Sequence, residues 1–183
     1  PAQRECELYF RRFGFCERQI TAPPPPGLGL VVVVPCFNEP DLIGALESLW
    51  ACERPAGAVE VLVVINAPEG SAEAIQRQNE TTLREATAWA AGRSDARLRF
   101  HFLNFPALPR KHAGVGLARK IGMDEALRSL ASRGGGMVLA CGGGVIASEA
   151  NRRLLAAEYV TVWLEVPFEE LMNRLSSEAA RAA

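Results

Sequence analysis

Two runs of mainly apolar residues, each followed by a segment with helical spacing, constrain the fold of this 183-residue chain more than any other feature. Residues 30–34 and 59–65 are rich in Val and show no polar alternation, which indicates strands buried on both faces. After the first run, apolar residues recur with the period of an amphipathic helix: Leu42, Ile43, Leu46, Leu49 and Trp50. Strands that alternate with such helices predict an α/β fold, with a mostly parallel sheet and helices on both faces.

Three further segments complete the predicted sheet of five strands. Residues 97–103 alternate between apolar and polar side chains, as a half-exposed strand near a sheet edge does, and residues 137–141 and 159–166 are also predicted strands. Residues 104–111 contain prolines and are predicted to form a loop before a helix over residues 115–132. The order of elements is Rossmann-like, and in such sheets ligands bind at the carboxyl ends of the strands.

Local residue chemistry predicts where helices begin and how the chain divides. Asn38 is expected to cap the helix after the first strand, and Ser71 to open a long polar helix. Residues 1–22 predict a short helix docked on the main body, and the four prolines from Pro23 to Pro26 predict a stiff spacer. We therefore predict three regions: an N-terminal helix with its proline-rich spacer (1–29), a first α/β segment (30–135) and a strand–helix–strand–helix segment (136–183).

Charge and cysteine content argue against several classes of function. The net charge is −1, so the composition does not favour binding to nucleic acid or to an anionic membrane surface. No apolar run is long enough for a transmembrane segment and no secretory signal is evident, so we expect a cytoplasmic protein. The five cysteines show no C-x-x-C spacing and only two histidines are present, which favours reduced, mostly buried thiols over a zinc site.

Three sequence blocks fall at predicted strand ends or shortly after them. They are Pro-Cys-Phe-Asn-Glu-Pro at residues 35–40, Asn-Ala-Pro-Glu-Gly at residues 66–70, and a basic, glycine-containing stretch at residues 108–122. In this order, the blocks resemble the nucleotide-sugar half of the family-two glycosyltransferases of the GT-A type. The resemblance extends over about residues 9–135 and implies a nucleotide-diphosphate sugar as the ligand.

The resemblance implies roles for individual residues by their position. Three of them would border the base and ribose, one would stand where the family usually has an Asp that contacts the base, and two would approach the diphosphate. In that order the residues are Pro35, Asn38 and Glu39, then Asn66, then Lys111 and Arg119. Taken without the resemblance, Lys111, His112 and Arg119 are better explained as a solvated basic loop and helix face.

The metal site of these glycosyltransferases has no counterpart in the sequence. The family uses Mg²⁺ or Mn²⁺ held by an Asp-x-Asp-like motif, because hard cations prefer clustered carboxylates. The chain has only Asp41, Asp95 and Asp124, which are far apart in sequence. The acceptor half with its catalytic base is also missing from the resemblance. We therefore assign no catalytic or metal-binding residue and expect no sugar transfer.

The last part of the chain resembles a different family. Residues 137–146, 151–155 and 162–171 carry a glycine-rich turn, a helix and a strand in the order found in shikimate kinase, and the resemblance covers about residues 137–176. It implies that Gly142, Gly143 and Gly144 line a shikimate-like pocket, although three glycines are also typical of a tight turn. The phosphate loop G-x-x-x-x-G-K-[ST], which would bind ATP, occurs nowhere in the sequence.

The two resemblances meet near residue 135, which predicts a chimeric or truncated chain whose sheet continues across the junction. The leading hypothesis is a glycosyltransferase-like nucleotide-sugar-binding domain over residues 30–135 that is not catalytically competent. The first alternative is a shikimate-kinase-related fragment that lacks its phosphate loop. The second is a non-catalytic α/β fold without a ligand. Titration with uridine or guanosine diphosphate, and with ATP and shikimate, would separate these hypotheses.

Overall fold

The computed structural model describes residues 2–93 and 95–131, in which strands and helices alternate from the first strand onward. In chain order the elements are α1 (Ala2–Phe13), β1 (Leu28–Cys36), α2 (Leu42–Ala51), β2 (Ala58–Pro68), α3 (Glu73–Ala91), β3 (Leu98–Leu108) and α4 (Val115–Ala131). The predicted α/β class is confirmed. The strands predicted at residues 137–141 and 159–166, and the segment 136–183 as a whole, lie outside the described residues.

The three strands form a parallel sheet in the order β1-β2-β3. Val32 of β1 is paired with Val61 of β2, and Val61 is paired in turn with Phe100 of β3. Each connection passes through a helix, as parallel neighbours require. The predicted continuation of the sheet across the junction near residue 135 concerns residues outside the described part of the chain.

Helices cover both faces of the sheet, as predicted. Helices α2 and α3 pack on one face, where Leu46 and Ala86 meet Val61, Val63 and Ile65 of β2. Helix α4 packs on the other face, where its core residues meet the alternate strand residues, Leu62 and Val64 among them. The residues of β2 from Val61 to Ile65 are completely buried, which confirms that the second apolar run is a strand buried on both faces.

The close approach of α4 to β1 depends on a glycine. A Cβ atom built on Gly122 would overlap the side chain of Val33 and lie 3.2 Å from Cγ2 of Val64. No other residue type fits there unless the helix moves away from the sheet. Because the contact is between helix backbone and strand side chains, Gly122 sets how closely α4 covers this face.

The third strand is longer than predicted. The loop predicted for residues 104–111 is wrong over its first half, because β3 continues to Leu108 and its carbonyl oxygen accepts a hydrogen bond from Glu69 N at 2.8 Å. Pro106 is compatible with this, because β3 is an edge strand of the described sheet. On an edge strand, a proline whose nitrogen faces away from the neighbouring strand removes no hydrogen bond from the ladder.

Two predicted helix starts also differ from the structure. Asp41, not Asn38, caps α2, and its Oδ1 accepts a hydrogen bond from Gly44 N at 3.1 Å. Helix α3 begins at Glu73, whereas Ser71 donates its hydroxyl to Pro68 O at 2.7 Å and so stabilises the preceding turn. The hydroxyl of Ser71 is thus used by the loop, and the side chain of Asn38 is not used as a helix cap.

The N-terminal segment docks on the sheet domain as predicted. Tyr9 of α1 donates its hydroxyl to Asp124 Oδ1 of α4 at 3.0 Å. Within the proline stretch, Pro24 and Pro25 are buried, and Pro25 O accepts a hydrogen bond from Leu28 N at 3.2 Å. These two prolines therefore pack against the body of the protein, shortly before β1.

Four of the five cysteines are among the described residues, and most of these four are not buried. Cys6, Cys16, Cys36 and Cys52 are free thiols, of which only Cys36 is buried, so the expectation that most thiols are buried is wrong for this part of the chain. None of the helices within residues 2–93 and 95–131 is both long enough and apolar enough to cross a membrane.

Candidate functional site

The residues predicted from the first resemblance lie along the carboxyl edge of the sheet. Pro35 is the second-to-last residue of β1, and Asn38 and Glu39 follow that strand. Asn66 is near the end of β2, and Lys111 follows β3. Since the three strands are parallel and adjacent, their carboxyl ends meet at one edge. Arg119 is in the second turn of α4, whose first residue, Val115, follows the loop from β3. Their roles in binding remain predictions.

Asn66 joins the ends of β1 and β2. It is 2% exposed, and its Nδ2 donates to Cys36 O at 2.9 Å and to Val64 O at 3.3 Å. The donor side of the amide is thus used by backbone carbonyls inside the sheet. An Asp at this position would place a carboxylate against those carbonyls, which explains physically why an amide suits this edge.

The turn after β1 has an unusual backbone conformation. Asn38 has φ 49°, which is in the left-handed region that costs most non-glycine residues about 1 kcal/mol and that asparagine tolerates best. Both Asn38 and Glu39 are exposed, and Glu39 Oε1 accepts a hydrogen bond from Asp41 N at 3.0 Å. The turn is therefore open to solvent and held in one shape.

Two buried residues of α3 that were not predicted hold this turn. Asn79 Oδ1 accepts a hydrogen bond from Asn38 N at 2.9 Å, and Asn79 Nδ2 donates to Asn66 O at 2.9 Å. Thr82 donates its hydroxyl to Glu39 O at 2.8 Å. Each is only 3% exposed. The signal in the sequence was two polar residues, three positions apart, on the inner side of α3 near Leu83 and Ala86.

The thiol of Cys36 is next to the candidate site but is not suited to nucleophilic chemistry. Burial, and to a lesser extent the charge of Glu39, raise the pKa of Cys36 to about 11, against a smaller lowering by a backbone hydrogen bond from Glu39. At neutral pH the thiol stays protonated, and a protonated thiol is a poor nucleophile and metal ligand.

Two of the predicted residues supply positive charge without a partner. Lys111 and Arg119 are exposed and make no ion pair or hydrogen bond with any residue in the described part of the chain. Arg110, which was not predicted, behaves differently, because its Nε donates to Glu69 O at 3.1 Å and so connects the loops after β2 and β3. Arg110 shapes the edge, whereas the other two cations are available for an anionic ligand.

The acidic residues of the described segments do not fit a Mg²⁺ or Mn²⁺ site. Asp41 caps α2, Asp95 pairs with Arg54 at 2.9 Å before β3, and Asp124 is buried in α4. Across residues 2–93 and 95–131, no three His, Cys, Asp or Glu side chains are grouped so that they could hold a metal ion.

Helix α4 carries a second set of charged residues, which we call the carboxylate clamp: Asp124 and Glu125. Lys120 Nζ is 2.5 Å from both carboxylate oxygens of Asp124, and Phe15 N donates to Asp124 Oδ2 at 3.3 Å. Ile20 N donates to Glu125 Oε2 at 3.1 Å, and Arg128 pairs with Glu125 Oε1. Both carboxylates are 1% exposed, so the clamp fastens residues 9–20 to the sheet domain.

Electrostatics around the clamp match this structural role. Burial lowers the pKa of Lys120, but the hydrogen bond and charge of Asp124, together with the contact to Tyr9, outweigh it and raise the pKa above its ordinary value. Arg128 also donates to Cys16 O at 2.7 Å and stacks 4.2 Å from the ring centre of Phe10. A pocket opens beside these residues, but the donors of Arg128 that line it already have partners.

A buried glutamate in the central strand forms a third polar group. Glu60 is 1% exposed, and its Oε1 lies 3.3 Å from His101 Nε2 of β3. Burial alone would raise the pKa of Glu60, yet the hydrogen bond and charge of His101, with smaller contributions from Ser129 and Arg99, lower it overall. This group lies between the sheet and α4, away from the strand ends.

The glycines predicted to line a shikimate-like pocket, Gly142, Gly143 and Gly144, lie outside the described residues. Among comparisons with known proteins, the family model for shikimate kinase matches residues 123–183, about a third of the chain. The match begins at Met123, inside α4, and so includes the end of that helix as well as the segment from residue 137 onward. No curated protein and no solved structure matches the chain.

Proposed function

We propose that the 183-residue chain is a small-molecule-binding α/β protein whose last third is related to shikimate kinase. We propose further that the chain does not transfer phosphate from ATP by itself. The observation that carries the proposal is the family match over residues 123–183. The match includes Gly142, Gly143 and Gly144, where backbone without Cβ atoms can approach a small acid closely. We do not propose phosphate transfer, because these 183 residues contain no phosphate loop that could bind ATP.

Calorimetry with shikimate and with ATP tests this proposal. We expect shikimate to bind with a dissociation constant on the order of a millimolar, about 4 kcal/mol, and ATP to add neither heat nor a phosphorylated product. Gly143→Val should abolish shikimate binding, because the resemblance implies that the acid approaches backbone without a Cβ atom at this position. Gly116→Ala should not, because no atom lies within 4 Å of a Cβ built at that position of α4. Absence of shikimate binding, or transfer of phosphate from ATP, would contradict the proposal.

A second candidate function is the binding of a nucleotide-diphosphate sugar at the carboxyl edge. It is supported by the convergence of three strand ends with an exposed, shaped turn at Asn38 and two cations without partners, Lys111 and Arg119. Sugar transfer is not part of this candidate function, because the carboxylates that would hold its metal are used elsewhere.

Titration with uridine diphosphate, guanosine diphosphate and uridine tests the second candidate. Two exposed cations should give weak binding of the diphosphates, with dissociation constants on the order of a millimolar that rise steeply with salt. Binding of the diphosphates but not of shikimate would favour this function over the first. A chain that binds none of these compounds would match the remaining hypothesis, a non-catalytic α/β fold without a ligand.

A further inference from the structure

The turn at residues 38 and 39 is held almost entirely from one helix. Asn79 and Thr82 are three positions apart in α3, so their side chains project from the same side of the helix. They bind the backbone of two consecutive residues, Asn38 N at 2.9 Å and Glu39 O at 2.8 Å. The side chain of Asn38 makes no hydrogen bond within the described residues, so the turn leaves it facing solvent while its backbone is fixed.

The contacts of Asn79 use both ends of its amide. Its oxygen accepts from Asn38 N, and its nitrogen donates to Asn66 O at 2.9 Å. One side chain therefore joins the turn after β1 to the end of β2, which are the two places predicted to contact the nucleoside. A buried amide that is satisfied at both ends contributes about 1 kcal/mol per hydrogen bond and is costly to leave half-satisfied.

Because Asn38 has a left-handed backbone conformation, these contacts hold a strained turn in shape as well as stabilising the fold. A strained backbone persists only where the surroundings hold it, and such residues are typical of ligand sites. We infer that Asn79 and Thr82 are positioning residues that hold the Asn38–Glu39 turn in the shape that receives the nucleoside part of a nucleoside diphosphate. The inference rests on the second candidate function and adds to it the residues that preorganise the site.

The test uses the full chain, uridine diphosphate as the probe, and four single substitutions in α3. Asn79→Ala removes both amide contacts, and Thr82→Val removes the hydroxyl but keeps the shape of the side chain. Thr82→Ser restores the hydroxyl. Thr87→Val is the matched control, because Thr87 is exposed and its hydroxyl bonds only within the helix, to Leu83 O at 2.7 Å.

Two quantities are measured for each variant: the dissociation constant for uridine diphosphate and the hydrogen-exchange rate of the Asn38 amide. We expect Asn79→Ala to weaken binding about tenfold and Thr82→Val about fivefold, as the loss of one to two hydrogen bonds implies. Exchange at Asn38 should become faster in Asn79→Ala. Thr82→Ser should bind as the unaltered chain does, and Thr87→Val should change neither quantity.

The outcomes separate this inference from the function on which it rests. If the unaltered chain binds neither uridine nor guanosine diphosphate, the second candidate function fails and the inference fails with it. If the chain binds and the Asn79 and Thr82 variants bind equally well, the inference alone is overturned. Weaker binding by Asn79→Ala without faster exchange at Asn38 would also overturn it, because Asn79 would then act by a route other than the turn.

Discussion

The carboxyl edge of the sheet and the carboxylate clamp on α4 contain similar numbers of charged groups but use them differently. In the clamp, Asp124 and Glu125 are buried and every neighbouring cation has an acidic partner. At the edge, Lys111 and Arg119 are exposed and have no acidic partner in the described segments. Charges that are mutually satisfied stabilise a fold, whereas charges left open at strand ends are available to a ligand.

The comparison also explains why a sequence motif alone does not locate a functional site. Asp124 and Glu125 come shortly after the basic, glycine-containing stretch at residues 108–122, which contains Lys111 and Arg119. The structure leaves Lys111 and Arg119 exposed and buries Asp124 and Glu125, because α4 crosses from the carboxyl edge back along the sheet. Proximity in sequence therefore does not imply a shared site.

The largest effect is expected from breaking the clamp. Glu125→Ala should lower the free energy of unfolding by about 3–5 kcal/mol, because it leaves Arg128 without its carboxylate and the Ile20 amide buried without an acceptor. Urea unfolding followed by circular dichroism measures this. Glu125→Gln should recover part of the loss, since it can still accept from Ile20 N.

Glu73→Ala provides the control for that measurement. Glu73 forms an ion pair with Arg77 on the exposed side of α3, where both side chains are mostly solvent-accessible. Such pairs contribute little, so the unfolding midpoint should stay where it is. A Glu125→Ala protein as stable as Glu73→Ala would show that the clamp is not a structural unit.

The next effect concerns the packing of α4 on the sheet. Gly122→Ala should destabilise the protein by about 2–3 kcal/mol, because the added methyl group overlaps Val33 and neither β1 nor α4 can give way cheaply. Gly116→Ala is the matched control in the same helix. Nothing lies within 4 Å of a Cβ at that position, so the change should be neutral or slightly stabilising. Equal behaviour of the two variants in thermal unfolding would contradict the close contact.

The strands and helices could be predicted from the sequence alone, whereas the role of Gly122 could not. The runs at residues 30–34 and 59–65 were sufficient to predict β1 and β2, since short runs rich in Val have few other stable arrangements. The helical spacing after each was sufficient to predict helices on both faces. The role of Gly122 was not visible, because it depends on the distance between α4 and β1, which no local pattern encodes.

The candidate site was predictable in outline and not in detail. Strand ends located the edge, and the resemblance named Asn38 and Asn66, but whether Asn66 faces a ligand or the sheet depends on backbone carbonyls contributed by β1. Asn79 was missed because its partners are 41 and 13 residues away in sequence. Hydrogen bonds to distant backbone leave no periodic signal, so a buried polar residue on an apolar helix face is the best available clue.

A third prediction uses pH to compare a buried carboxylate with exposed ones. The pKa of Glu60 in the folded protein is below its ordinary value of 4.5, so its contribution to stability is present above that value and is lost as the pH falls through the folded pKa. Glu60→Gln should therefore cost about 1–2 kcal/mol at neutral pH, and the difference from the unaltered protein should shrink below about pH 4.5.

The groups that face Glu60 are His101 and Arg99 of β3 and Ser129 of α4. Urea unfolding at neutral pH and at a series of acidic values measures the difference, and Glu53→Gln, an exposed substitution between α2 and β2, is the control. A difference that stays constant into the acid range would mean that the carboxylate of Glu60 is not preferentially stabilised in the folded state.

The smallest effect on stability, and the one most informative about function, is expected at the carboxyl edge. Lys111→Ala removes an exposed charge without a partner in the described residues, so the unfolding midpoint should not move. If Lys111 faces a diphosphate, the same change should weaken uridine diphosphate binding about threefold to tenfold while leaving the weaker binding of uridine unchanged, since only the charged part of the ligand loses a contact. Calorimetry at low and moderate salt separates the two, because added salt should reduce the difference between the unaltered protein and the variant. Equal loss for the diphosphate and the nucleoside would show that Lys111 does not approach the phosphates, and a drop in the unfolding midpoint would place Lys111 with the clamp residues, as a structural charge.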